Sequence, residues 1–438
     1  MFNKKEHRQM RLVMFLVYMS FAFAFRITMA GPAPRDTHLP DLSGDFMMNY
    51  DIAADILGAQ SIINGSFDVY TKNYFPKEVP PDGCPIPYPP FSFYLQAPIV
   101  WAGLSMGLEP QGFASYGICG LLYVVLSGLC ALQAGRVLKK GLGVSDETTV
   151  TVTVFLLLFS SVMFWVATYT ARFDFVVALC LLLAMSSLAA DKYGWAGFFI
   201  GLGMMTKQTV FPAAIVFMAV LLVGLLRKEI PFNKALRMVA GIPVSFVMLI
   251  PFLVVSPRRM WDGLFGTLQI EPIQRPSFVY LVLQLGKTIF PEEPLRQFLT
   301  SYSNWIILIA CICFVFVVAA KRNVKFGSSQ FCALVAVASF SIPVLAKLPS
   351  IERYTATPSV FMLLWAASRK PGFPYDALWF IILQGFILDH VPMIWKHHVG
   401  LVFYAVVCIY VYFAAFSEAA SGALAGKLDQ TKRSEASV

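Results

Sequence analysis

After its first apolar run the chain carries a segment dense in carboxylates, "SGDFMMNYDIAADILGAQSIINGSFDVY", with Asp45, Asp51, Asp55 and Asp68. Asp51 and Asp55 are four residues apart, so a helix there sets both on one face. Cations and carboxylates recur at the ends of later apolar runs: Arg172 and Asp174 in "TYTARFDFVVAL", Lys207 in "GLGMMTKQTVFP", Arg258 and Arg259 in "VVSPRRMWDG", Arg275 in "EPIQRPSFVY", and Lys347, Glu352 and Arg353 in "AKLPSIERYTATPS". Such residue types suit transfer of a group away from a phosphate. A carboxylate beside a hydroxyl nucleophile takes its proton, an effect of about 10²–10⁴-fold in rate. Arg and Lys held in a partly dry site stabilise the negative charge that develops on the leaving phosphate. Plainer readings exist for each residue alone. Asp51 fits a helix N-cap with Asp55 as its solvated neighbour, Arg172 with Asp174 fits a structural ion pair, and Lys207, Lys347, Arg258 and Arg259 fit snorkelling to lipid phosphates.

The elements that must position these residues are membrane helices. The chain has 438 residues, 58% hydrophobic and 13% charged, with a mean hydropathy of +0.67, which is outside the soluble range. Its formal charge of +9 sits in short clusters at the ends of apolar runs and reads as topology, not nucleic-acid binding. The basic N-terminus, "GRVLKK", "LLRKEIPFNKALR", "AKRNVK", "SRK" and the tail from Lys427 are assigned to the cytoplasm. Crossings at about 12–30, 112–135, 147–169, 174–190, 193–206, 209–226, 238–255, 303–320, 329–346, 353–368, 376–394 and 399–416 satisfy that assignment.

The expected fold is therefore all-α and polytopic, a single integral membrane domain over 1–438 with about 12 transmembrane helices. The apolar segment 89–107 breaks the parity if it crosses, and is read as interfacial or re-entrant in the outer leaflet. Residues 31–91 and 256–302 become long extracytoplasmic loops, and 417–438 a cytoplasmic tail. The first run also has signal-peptide features, ending in "TMA" before Gly31. All the cations and carboxylates named above then share the outer face, where the positive-inside rule calls for few cations, and together they favour an anionic ligand.

At these residues the chain resembles the GT-C superfold of glycosyltransferases that use lipid-phosphate sugars, and within it the mannosyltransferase-like members. The first outer loop of that group opens on an acidic residue and continues to a Gly and a Tyr, then a "YPP" turn. Here the order is Asp51, Gly65, Tyr70, then Tyr88, Pro89 and Pro90. "ARFDFVVALCLLLAM", "WAGFFIGLGMMTKQTVFPAAIVF" and "ERYTATPS" resemble its later motifs, in order over about residues 45 to 360. The resemblance implies Asp51 as general base, with Asp45 and Asp55 as rival or supporting carboxylates. It implies Arg353, Lys207, Arg172 and Arg275 as donor-phosphate ligands and Tyr88, Asp174 and Tyr354 as substrate contacts. A single Asp in "NYD", in place of a paired acidic motif, argues against oligosaccharyltransferase or protein-mannosyltransferase.

The expected activity is transfer of a hexose, mannose by resemblance, from a polyprenyl-phosphate donor to a hydroxyl on a glycan, glycolipid or lipid-linked acceptor, with inversion if attack is a single displacement. The expected partners are thus the donor, the acceptor and membrane lipid, with no nucleic acid. The alternatives are a transporter or flippase of an anionic lipid or solute, and a non-catalytic assembly subunit. Charges at helix ends and the lack of a convincing repeat weigh against transport. No cofactor is expected, and a divalent metal is open but not indicated. "GxxxxGK[ST]" does not occur, so direct ATP use is unsupported. "NGS" at Asn64 reads as a helix-ending turn more readily than a glycosylation sequon. The dispersed cysteines, with Cys84 alone in a polar segment, do not form a disulfide framework, and Cys311 and Cys313 point to different helix faces. His397 and His398 are neighbours, the wrong spacing for one helical face, and read as surface or lipid-phosphate contacts, while Asp389 and His390 read as an interfacial pair. The expected location is a membrane, a bacterial plasma membrane in preference to the endoplasmic reticulum.

Overall fold

A computed structural model of the chain describes residues 2–28, 50–71, 88–108, 113–170, 172–266, 273, 277–345, 354–369 and 375–416. These residues are helices and their connections. In chain order the helices are α1 (Lys4–Thr28), α2 (Tyr50–Ile63), α3 (Phe91–Ser105), α4 (Phe113–Lys140), α5 (Glu147–Leu158), a π-helical segment (Met163–Tyr169), α6 (Asp174–Ala189), α7 (Tyr193–Met204) and α8 (Phe211–Leu226). There follow α9 (Phe232–Ser245), α10 (Ile250–Val255), α11 (Pro257–Trp261), α12 (Phe278–Gly286), α13 (Glu292–Arg322), α14 (Ser329–Leu345), α15 (Ala356–Arg369), α16 (Tyr375–His390) and α17 (Met393–Phe416).

Helix thus occupies each segment in which a crossing was expected. Among the described residues six stretches are long and apolar enough to cross a bilayer by themselves, or seven if the bent pair of α5 and the π segment is one span; Ala54–Ile63, Asp174–Ala189 and Ser329–Ile342 are shorter apolar helices. The expected single run at 147–169 is broken, with a bend of 56°. Ser160 explains the break. Its hydroxyl donates to the Leu157 carbonyl at 3.0 Å and accepts from the Met163 amide at 3.1 Å, so a side chain replaces the continuing ladder. The outer segment 256–302 is not a loop throughout, because α11, α12 and the first turns of α13 lie within it.

Large apolar side chains cover the outside of the bundle, among them Leu12 and Leu16 on α1, Val239 on α9, Ile309 on α13 and Val402 on α17. In lipid such exposure carries no hydrophobic penalty, so helix association depends on close packing and polar contacts. Small residues supply the closeness. Gly194, Gly197 and Gly201 of α7 face Gly241 and Ser245 of α9, where a Cβ on Gly197 would overlap the Met238 carbonyl and one on Gly241 the Gly194 carbonyl.

Ion pairs between described residues each join groups expected on the same face. Glu147 pairs with Arg11 at 2.9 Å and with Lys139, Lys234 pairs with Asp191 at 2.6 Å, and Arg369 pairs with Asp376 at 3.2 Å. Asp146 caps α5 by accepting from the Thr148 and Thr149 amides. The Thr149 hydroxyl, and then these amides, hold its carboxyl below the ordinary range despite some burial.

The hairpin of α2 and α3 sits against the ends of α4, α7 and α10. Phe91 N–H donates to the Met205 carbonyl at 2.9 Å, Gln96 Nε2 to the Cys119 carbonyl at 3.0 Å, and Tyr94 Oη to the Met248 carbonyl at 3.3 Å. Phe252 is the apolar anchor. Phe67, Tyr70, Phe93 and Tyr94 meet its ring edge-to-face at 5.4, 5.5, 6.2 and 6.3 Å, contacts worth about 0.5–1.5 kcal/mol each beyond burial.

Replacing Gly197 or Gly241 by Ala raises helix propensity by about 1 kcal/mol, but the overlap is with backbone and cannot be relieved by a rotamer change. Each variant is therefore expected to lose about 2 kcal/mol net and to unfold earlier in a detergent thermal melt. An unchanged or higher melting temperature would disprove the contact.

Candidate active site

α2 ends where its sequence turns to Asn64-Gly65. Gly65 adopts φ +65°, and the Gly65 and Ser66 amides return to the Ile62 and Ser61 carbonyls, both at 3.0 Å. Asp68 closes this turn, accepting from the Ser66 hydroxyl at 2.7 Å and the Ser61 hydroxyl at 3.1 Å. Gly58 lets α2 approach α3, since a Cβ there would enter the Phe93 ring. On the same helix Asp55 is wholly buried and accepts a short hydrogen bond from the Tyr123 hydroxyl of α4. Asp55 is therefore no solvated neighbour of Asp51; it ties α2 to the bundle. Asp51 lies one turn earlier, in the first turn of α2, and its side chain is outside the described residues.

A second group of side chains surrounds Phe173, itself fully buried. Tyr88 meets its ring edge-on at 5.2 Å and Tyr123 at 5.9 Å. Lys207 Nζ stands 5.0 Å from the centre of the same ring and 5.7 Å from that of Tyr354. Lys207 also donates to Asp174 Oδ1 at 2.8 Å, with only 7% and 4% of the two side chains exposed. This rules out the snorkelling reading of Lys207, and Asp174 finds its ion-pair partner one helix further on. Asp174 opens α6, where the N-terminal end of the helix favours a carboxylate. Asp174 Oδ2 is buried and, among the described residues, accepts no hydrogen bond. Arg172 is buried beside the pair in sequence, and its amide donates to the Val166 carbonyl at 2.8 Å.

Tyr123 joins the two groups, with its hydroxyl on Asp55 and its ring against Phe173. A further link is Tyr70, whose hydroxyl donates to the Tyr88 carbonyl at 2.5 Å. Burial, with Asp55 and Tyr94 adding, pushes the Tyr70 phenol well above its ordinary value, so it remains a donor.

Of the residues expected to act, Asp55, Tyr88, Asp174, Lys207 and Tyr354 are gathered around Tyr123 and Phe173, and Arg172 lies in the same turn. Asp45, Arg275 and Arg353 lie outside the described residues, as do Cys84, Lys347 and Glu352. Tyr123 and Phe173 were missed. The signal for Tyr123 was a phenol in the mostly apolar "GLLYVVLSG"; for Phe173 it was an aromatic ring set between the charges of Arg172 and Asp174. Among the described residues no three His, Cys, Asp or Glu side chains gather at one point.

The profile described as "GT87: Glycosyltransferase family 87" matches residues 87–346, more than half of the chain. The chain belongs to glycosyltransferase family 87. Family 87 is a GT-C family using polyprenyl-phosphate sugar donors, so this is a membrane glycosyltransferase with a lipid-linked donor and an acceptor. The enzymatic reading takes precedence over transport on this ground. No curated protein matches the chain. The family 87 match covers Tyr88, Arg172, Asp174 and Lys207, whereas Asp51 and Asp55 precede it and Tyr354 follows it.

Breaking the buried pair strands a charge. Lys207→Met is expected to destabilise the protein by about 3–5 kcal/mol, and adding Asp174→Leu to regain much of that loss. Thermal unfolding in detergent measures both. Equal losses for single and double variants would show that the pair is not desolvated as described.

Proposed function

We propose that this family 87 enzyme transfers a hexose, mannose by resemblance, from a polyprenyl-phosphate donor to a hydroxyl of a glycan, glycolipid or lipid-linked acceptor at the extracytoplasmic face. Asp51 is the general base. It accepts the acceptor's proton as the oxygen attacks the anomeric carbon, the bond to the lipid phosphate breaks, and a single displacement inverts that centre. Lys207, Arg172, Arg275 and Arg353 face the donor phosphate, and Tyr88, Asp174 and Tyr354 contact the sugar. Twelve crossings place these residues on one side, with α3 in the outer leaflet, and the membrane is a bacterial plasma membrane.

One observation carries this reading: through Tyr123, the helix that bears Asp51 is bonded to the same cluster that holds Lys207, Asp174 and Tyr354. A base and a cationic site are thus held on one framework, as near-attack geometry demands. The Lys207 ammonium has three donor positions, of which Asp174 takes one, and Asp174 Oδ2 can accept from a sugar hydroxyl.

The test uses purified protein with a panel of polyprenyl- and dolichyl-phosphate sugars and reads release of lipid phosphate. Asp51→Asn is expected to lower turnover by at least about 10²-fold with donor binding retained. Asp45→Asn is expected to keep most of it. Retained turnover in Asp51→Asn would reject Asp51 as base, and the opposite pattern would move the role to Asp45.

A further inference from the structure

Arg26 lies in the last turn of α1, near the end expected to face outside. An arginine so close to a helix end can reach the interface by extending its stem. This one turns inward and is 1% exposed. Burial of a cation costs several kcal/mol, yet no carboxylate among the described residues pairs with it, and its Nε and Nη2 make no hydrogen bond. Among the described residues its one bonded nitrogen, Nη1, donates to the Thr168 carbonyl at 3.0 Å and the Tyr169 carbonyl at 3.3 Å.

Those two carbonyls end the π segment, where the helix leaves its last acceptors without partners. Two earlier ones are already taken: Thr170 donates to the Trp165 and Val166 carbonyls through its hydroxyl, and the Arg172 amide donates to Val166. Arg26 therefore completes the end of this bent segment, and a cation there also meets the negative end of the helix dipole. Arg172, Phe173 and Asp174 follow three to five residues after Tyr169. The seat is specific, because α4 presents Gly120 to the guanidinium and a Cβ there would overlap it.

We propose that Arg26 is a positioning residue for glycosyl transfer: it fixes the end of the π segment and thereby sets Asp174 against Lys207. The inference rests on the reading of Lys207 and Asp174 as donor-site residues. It assigns no contact between Arg26 and substrate.

The test measures kcat and KM for polyprenyl-phosphate mannose, by lipid-phosphate release, in Arg26→Met, Arg26→Lys, Gly120→Ala and the Arg26→Met/Gly120→Ala double variant. A misplacement of this kind costs up to about 10²-fold in rate efficiency. Arg26→Met is expected to raise the donor KM about tenfold or more, with partial rescue in Arg26→Lys, whose ammonium can reach one carbonyl. Gly120→Ala keeps the charge but displaces it, so it should reproduce the defect and add nothing in the Arg26→Met background. Should Arg26→Met not purify folded, Gly120→Ala carries the comparison. An unchanged donor KM in both single variants, or additive effects in the double variant, overturns the proposal. Lys207→Met is run beside them. A raised donor KM there with none in Arg26→Met defeats this inference alone, whereas an unchanged donor KM in Lys207→Met defeats the donor-site reading and this inference with it.

Discussion

The ion pair between Lys207 and Asp174 is the contact on which the rest of the site depends. Two charges almost free of water are tolerable only if each has a partner at close range, and here the partner is 2.8 Å away. The pair fixes the end of α7 against the start of α6. It also keeps the ammonium at the faces of Phe173 and Tyr354, so the turn that leads into α15 joins the same point. The result is a partly dry centre that holds one ammonium and one carboxylate in fixed positions.

The second constraint is the lipid solvent. With little hydrophobic drive between helices, α7 and α9 hold together through backbone contact at glycines, and α2 through one buried carboxylate and one phenol. The framework is thus made of a few exact fits and a few polar bonds, and it leaves the outer surface free to be apolar.

Much of this was legible in the sequence. Apolar runs bounded by basic clusters marked the helices, because a bilayer demands about 20 apolar residues or a protected shorter stretch. Asp174 and Lys207 were recognisable as charges at helix ends, and Tyr88 and Tyr354 through the family resemblance. What escaped were pairings across distant segments. Nothing near Asp55 announces Tyr123, 68 residues away, as its donor. Lys207 and Asp174 were each noticed, but the choice between lipid and partner depends on the crossing of α6 and α7. The break after α5 was hidden in "FSSVMF", where Ser160 competes with the backbone only in a context the sequence does not reveal. Asp45, Arg275 and Arg353 lie outside the described residues.

The shortness of α7 has its own consequence. Twelve residues rise only about 18 Å, against a hydrocarbon core of about 30 Å, whereas the 31 residues of α13 rise about 46 Å. A helix so short cannot carry Lys192 and Lys207 to two full-thickness interfaces; if α7 is one of the proposed crossings, the bilayer thins around it or the Lys207 end lies recessed within the membrane profile. In a recess, a donor phosphate bound at Lys207 as proposed above would leave its polyprenyl tail in hydrocarbon, and the soluble part of the acceptor would come down to it. On that proposal, the length of one helix sets the level at which water, sugar and lipid meet.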